Sequence, residues 1–151
     1  MIKIYALPVL MLSCFSSWVC AGSGLVSSQS QFSVSETADR FEQIAKQKGL
    51  TIFARINHAD NAAKVNLSLR PSQVILFGNA KVGTPLMQCA GQVAIDLPQK
   101  ASFWQDKNGK VWLSYNAPDY LKKRHKITGC DALIGKITNV LQSLAKAASA
   151  N

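Results

Sequence analysis

Two short runs, residues 101–105 and 110–115, flank Asp106-Lys107-Asn108-Gly109, and a connection that short can only join antiparallel neighbours. Asn-Gly is the pair a type I′ turn prefers, so a type I′ hairpin is expected here. Trp104 and Trp112 face one another across it and are read as cross-strand packing rather than as platforms for a sugar. A lone two-stranded ribbon is marginal in water. The chain must therefore supply further strands and an apolar layer to cover them.

Both are legible. Residues 50–56 (Leu-Thr-Ile-Phe-Ala-Arg-Ile) are apolar and β-branched, and 73–77 form a second such run that stops at Gly78-Asn79, so each is read as a strand. A first strand, polar and suited to a sheet edge, is expected over 23–31. Ser33-Val34-Ser35-Glu36 is a capping-box pattern. Behind it Val34, Ala38, Phe41, Ile44, Ala45 and Lys48 recur at helical spacing, and Gly49 closes that helix. Residues 57–64 read as a loop or a short helical turn carrying His58. Between 81 and 94 the chain contains Gly83, Pro85 and Gly91, so a helix there should be short and start at Thr84 or Pro85. Pro118 can open a short helix through Tyr120, Leu121 and Arg124. Leu133, Ile134, Ile137, Val140, Leu141 and Leu144 make one broad apolar stripe, which predicts a helix from Asp131 to about Ala147. Strands bracketed by helices imply an α+β fold: two layers, a curved antiparallel sheet with two main helices on one face.

The N-terminus has the layout of an export signal. Lys3 precedes an apolar stretch, 4–15, and Val19-Cys20-Ala21 before Gly22 offers small residues for cleavage. A lipid-anchoring site is less well matched, since Cys20 follows Trp18-Val19, while Cys14, after Leu12-Ser13, would leave a very short signal. Residues 1–21 are expected to be a cleaved signal peptide and 22–151 one domain working in the periplasm. No later stretch is long and apolar enough to cross a membrane. Of four cysteines only Cys89 and Cys130 then remain. In an oxidising compartment such a pair is first a disulfide, and no Cys-x-x-Cys spacing supports a redox or metal pair.

Net charge is +9, or +8 once Lys3, the only charged residue of 1–21, has left. That balance favours anionic partners. The charges are scattered, however, and the one dense run, Lys122-Lys123-Arg124-His125-Lys126, has no interleaved aromatics to stack bases. It reads as a solvated helix face, and no nucleic-acid partner is expected.

Several stretches, in order and over essentially the whole of 22–151, resemble the domain of unknown function family 302. They are Ile56-Asn57-His58-Ala59 with Ala62, Arg70-Pro71, Phe77-Gly78-Asn79 with Lys81, and Gly83-Thr84-Pro85-Leu86-Met87. Further on come Asp96-Leu97-Pro98 with Lys100, Gly109-Lys110-Val111-Trp112, Ser114-Tyr115-Asn116 with Pro118, Tyr120-Leu121 and Arg124-His125. Ala80 stands where the family usually has Pro, and Ala117 where an acidic residue is common. The Cys89–Cys130 pair is not part of the pattern. The resemblance implies a TATA-binding-protein-like or helix-grip arrangement and is compatible with a homodimer. It implies no reaction.

Few residues invite chemistry. His58 and His125 are the only histidines; with Met87 they could ligate copper or haem, although no close His-x-His or His-x-x-x-His spacing favours this over local hydrogen bonds. The loop 78–85 could offer backbone N–H groups and Lys81 to an anion at a helix start, or could be a turn needing positive φ at Gly78 or Gly83. Asp96 and Lys100 could pair, near Ser114, Tyr115 and Asn116. No nucleophile elbow, paired carboxylates or His-Glu-x-x-His helix is present, so nothing argues for an enzyme. The expectation is a non-catalytic module that binds a small ligand or a protein partner in a cleft between sheet and C-terminal helix. Met87, Tyr115, Asn116, His58 and His125 are expected to line it, and Lys81, Gly83, Thr84 and Lys100 complete the candidate ligand-binding set. No resident cofactor is expected; a copper or haem protein is the alternative. On export from a bacterial host, intact-mass measurement should find a chain starting at Gly22; retention of 1–21, or a lipidated Cys20, would overturn the cleavage reading.

Overall fold

The computed structural model describes residues 24–150; the predicted leader lies outside them. Five strands, β1 (Leu25–Ser30), β2 (Thr51–Asn57), β3 (Ser72–Gly78), β4 (Gln99–Gln105) and β5 (Val111–Asn116), form one sheet. Its order is β1-β5-β4-β3-β2 and every pairing is antiparallel. Five helices accompany it among the described residues: α1 (Val34–Gln47), α2 (His58–Ala63), α3 (Ala80–Cys89), α4 (Pro118–Arg124) and α5 (Asp131–Ser149). A 3-10 segment, Gly91–Asp96, follows α3. The α+β reading, with α1 and α5 against a single face of the sheet, holds. Among the described residues no helix is long and apolar enough to cross a membrane.

Strand period places Ile75 and Phe77 of β3, Ala101 and Phe103 of β4, and Val111, Leu113 and Tyr115 of β5 on the covered face, all buried. Onto them α1 lays Val34, Ala38, Phe41 and Ala45, and α5 lays Ile134, Ile137, Leu141, Leu144, Ala145 and Ala148. Phe41 meets Phe77 and Phe103 edge-on, with ring centroids 5.0 and 5.4 Å apart, the favoured geometry for aromatic pairs. The helices are tied at one end by Arg40. Its guanidinium donates to the carbonyls of Ala147, Ala148 and Ala150 at 3.2, 3.3 and 2.9 Å and lies 4.1 Å over the Phe32 ring, so a cation sits on the negative end of α5.

Local signals behave as their chemistry requires. Ser33 Oγ accepts from Glu36 N, capping α1. At the other end Gly49 (φ +73°) donates to Lys46 O and Leu50 to Ala45 O, a Schellman closure. β1 is an edge strand, as expected, and Pro118 opens α4. Two readings need correction. The hairpin tip is not type I′, for that turn needs positive φ at both central residues, and Gly109 (φ +79°) is the one positive-φ residue of the turn. Asp106 O accepts from Gly109 N, while Asp106 Oδ1 accepts from Asn108 N and Lys110 N at 2.8 and 2.9 Å. The aspartate thus organises a three-residue loop that ends in a left-handed glycine. The second correction concerns α3. It starts at Ala80, well before Thr84, and carries Pro85 inside it. Asn79 Oδ1 caps Lys81 N at 2.8 Å, and Asn79 O accepts from Val82 and Gly83, so the first turn is secured before the proline is reached.

On the uncovered face Trp104 and Trp112 pair in register and stack, centroids 6.4 Å apart. Their indole N–H groups donate to Ser114 Oγ and Asp106 Oδ2 at 3.1 and 3.0 Å. That geometry fits sheet packing.

Phe41→Ala should lower the free energy of unfolding by about 3–5 kcal/mol, measured by urea denaturation. Burial pushes the Tyr115 phenol above its ordinary 10.0. A group whose folded value is raised contributes stability below the unfolded value and loses it as pH rises through the folded one. Unfolding free energy should therefore decline from about pH 10 upward, and Tyr115→Phe should remove that part of the decline.

Candidate functional site

The two helices leave one corner of the covered face open, and there the protein has a cavity of about 520 Å³. Its floor is Phe77 and Gly78 of β3 and Gln99 of β4, with Leu97 and Pro98 beside them. One wall is α3, through Val82, Gly83, Leu86 and Met87; the other is α5, through Leu133, Ile137, Val140 and Leu141. Phe53 closes the side next to β2.

Each part has a local cause. β2 pairs Ile52 with Phe77 and then Ala54 with Leu76, so Phe53 is the extra residue of a bulge, and a bulge re-aims its side chain. Its ring reaches Gly78, where a Cβ would stand 3.6 Å from Phe53 Cε2. Asn79, besides capping α3, donates from Nδ2 to Gly49 O at 3.0 Å, which pins the start of α3 to the end of α1. At the other end of α3, Cys89 is disulfide-bonded to Cys130, the residue before α5, with Cα atoms 6.5 Å apart. The bridge joins the two walls of the cavity, and in the chain-entropy model a separation of 41 residues is worth about 4 kcal/mol.

The lining is apolar apart from Asn79, Thr84, Gln99 and Lys136, and Lys136 is its one charged residue. Phe53, Met87 and Val140 stay 59, 37 and 40% exposed. Gln99 is buried, and its Nε2 is the only buried side-chain nitrogen or oxygen without a hydrogen-bond partner among the described residues.

Of the residues expected at a binding site, the cavity gathers Gly83, Thr84 and Met87. The others lie elsewhere. Tyr115 is in the core beneath the helices, and Asn116 ends β5 opposite Leu25. His58 opens α2, exposed, and does not line the cavity. Lys81 does not line it either. The N–H groups proposed for an anion at residues 81–83 are taken by Asn79, and neither Gly78 nor Gly83 has positive φ. Lys100 does not pair with the Asp96 carboxylate. Its Nζ donates to the Asp96 and Pro98 carbonyls, both at 3.3 Å. The Asp96 carboxylate instead takes His125 Nε2 at 2.5 Å and Arg124 Nε at 3.3 Å. That clamp ties the end of α4 to the 3-10 segment behind the Leu97-Pro98 wall, and the His125 side chain in it is buried. Thus neither histidine shares the cavity with Met87, and among the described residues no three His, Cys, Asp or Glu side chains are grouped to hold a metal ion.

Sequence reasoning passed over Gln99, Phe53 and Lys136. Three apolar residues in succession, Ile52-Phe53-Ala54, were the available sign of a bulge. Leu133, Ile137, Val140 and Leu141 were read as part of the core stripe, and the same stripe walls the cavity.

Comparison with known proteins agrees with this architecture. A solved structure, an uncharacterized conserved protein DUF302 from Bacillus stearothermophilus, superposes with a TM-score of 0.74 at 17% identity, covering 82% of this chain and 96% of that one; the likeness is one of fold. Two curated relatives are Fluoride-specific ion channel FluC 1 of Brucella suis biovar 1 (strain 1330) and FluC 1 of Brucella abortus biovar 1 (strain 9-941). Each is 43% identical over 105 residues, 70% of this chain. The match spans 41 and 39% of those proteins, so the chain covers well under half of their length. Residues 26–144 match the family model described as Domain of unknown function DUF302, and the chain belongs to that family.

Proposed function

We propose that this domain is a non-catalytic binding module of the periplasm that takes a small apolar ligand into the cavity between α3, α5 and the sheet. The observation that carries the reading is the cavity itself: about 520 Å³ with almost wholly apolar walls, a size and character typical of small-molecule sites. Its rim leaves Phe53, Met87 and Val140 in water, and covering apolar surface stabilises a complex by roughly 25 cal/mol per Å². Asp96 and His125 are engaged with one another outside the lining, and the lining's one ionisable side chain, Lys136, has no acid or base beside it in the lining, which favours binding over a reaction. An apolar leader and a Cys89–Cys130 disulfide support an oxidising compartment. The curated relatives are named as fluoride-specific ion channels, but this chain spans well under half of their length, and the binding role proposed here borrows nothing from that name.

Titration with Nile red, an uncharged apolar dye, should show saturable one-site fluorescence enhancement. Val140→Trp, on an exposed stretch of the α5 wall, should fill the cavity and weaken that binding by at least about tenfold while circular dichroism and melting temperature stay unchanged. Unsaturable dye uptake, or full binding by the variant, would sink the proposal.

A further inference from the structure

We infer that the ligand carries a carbonyl oxygen and that Gln99, at the cavity floor, is the residue that recognises it; this rests on the reading of the cavity as a ligand site. Gln99 lies on the covered face of β4 opposite Phe77, 8% exposed, and lines the cavity together with Leu97 and Pro98. Its Nε2 is buried and bonded to nothing. The other inward-facing glutamine provides a contrast. Gln73 on β3 is equally buried, but its Oε1 accepts from Arg55 Nε at 2.8 Å. A buried donor with no acceptor is costly, and an apolar side chain of similar size would avoid the cost. Gln99 is therefore out of place as a core residue and well placed as half of an interaction.

The remaining polar lining residues do not compete for that role. Asn79 is committed at both ends of its amide, to Lys81 N and Gly49 O. Thr84 and Lys136 are exposed and can be met by water. Inside the cavity, Gln99 is left as the group with a hydrogen bond to give. The torsion that carries its amide is a soft one, so the N–H can turn to an oxygen arriving between α3 and α5. A carbonyl oxygen meets this N–H without bringing a second donor into the apolar walls. The ligand class is thus an aliphatic or aromatic body filling the apolar walls, with one ketone or ester oxygen directed at the floor.

Matched probes separate this inference from the one it rests on. Octane and methyl hexyl ketone have the same chain length and differ at a single carbon, and both can be titrated into the isotopically labelled protein and followed by amide chemical shifts. Octane leaves water more readily than the ketone, so the informative quantity is the ratio of the two affinities and its change when the amide is removed. Gln99→Leu and Gln99→Met remove the amide and keep the bulk; in each the ketone-to-octane affinity ratio should fall about tenfold below the wild-type ratio, the effect of one buried hydrogen bond. An unchanged ratio in either variant that retains the wild-type fold by circular dichroism would overturn the carbonyl inference and leave the cavity as an apolar site. If neither probe shifts the residues lining the cavity in the wild type, the ligand-site reading itself fails.

Discussion

A five-stranded sheet with one apolar face must keep that face from water, and here α1 and α5 supply most of the cover, with Leu86 of α3 and Val93 beside them. Phe41 stands at the centre of the arrangement, its ring edge-on to Phe77 and Phe103, which belong to β3 and to the central strand β4. The position of α1 over the sheet depends on that packing, and the position of α5 depends in turn on α1, through Arg40 and the carbonyls at its C-terminal end. Where the two helices give out, beside Phe77 and Gln99, the apolar face continues uncovered. The cavity is that remainder, enclosed by α3 rather than filled by it.

The polar residues within the family pattern serve this framework more than they serve chemistry. Asn57 caps α2 by accepting from Ala59 N and Asp60 N, and Asn79 caps α3. Asp96 gathers Arg124 and His125. Lys100 holds backbone carbonyls in the same turn. A short domain made of many small elements has many helix ends, each with backbone groups that need partners. Side-chain amides and carboxylates at those ends are the economical way to satisfy them. Read along the chain, His125 and Lys100 are candidate ligand-binding groups; in the fold His125 holds the Asp96 carboxylate and Lys100 the carbonyls of Asp96 and Pro98.

What could be read without coordinates was whatever depends on near neighbours in sequence. Ser33 and Gly49 bound α1, the stripe from Leu133 to Leu144 belongs to α5, and the turn at Asp106 to Gly109 joins β4 to β5. Local rules weighed against one another were less reliable. Gly83 and Pro85 argued against a helix that Asn79 had already started, and Asn108-Gly109 argued for a turn type that the Asp106 carboxylate overrides. The candidate site was mostly hidden for a different reason. Gly83, Thr84 and Met87 fell within one loop-to-helix stretch and were found together. Much of the rest of the lining comes from β2, β3, β4 and α5, and only the tertiary arrangement makes Phe53 or Gln99 their neighbour. Gln99 in particular carries no mark in sequence, since its burial without a hydrogen-bond partner appears only in the tertiary arrangement.

The fastening of α3 bears on how anything could enter. At its start the helix is anchored by the Asn79 amide to the Gly49 carbonyl, and at its finish by the Cys89–Cys130 bridge to the head of α5. A helix held at both ends behaves as a beam, not as a hinged flap. It can bow slightly but cannot swing clear. If the cavity takes a ligand as proposed, its entry depends on the side chains around the rim, Met87, Phe53 and Val140, which are partly in water and can change rotamer on the picosecond-to-nanosecond scale. Such a compartment is set in width before a ligand arrives, so little ordering is left for binding to impose, and discrimination falls to the shape of the guest.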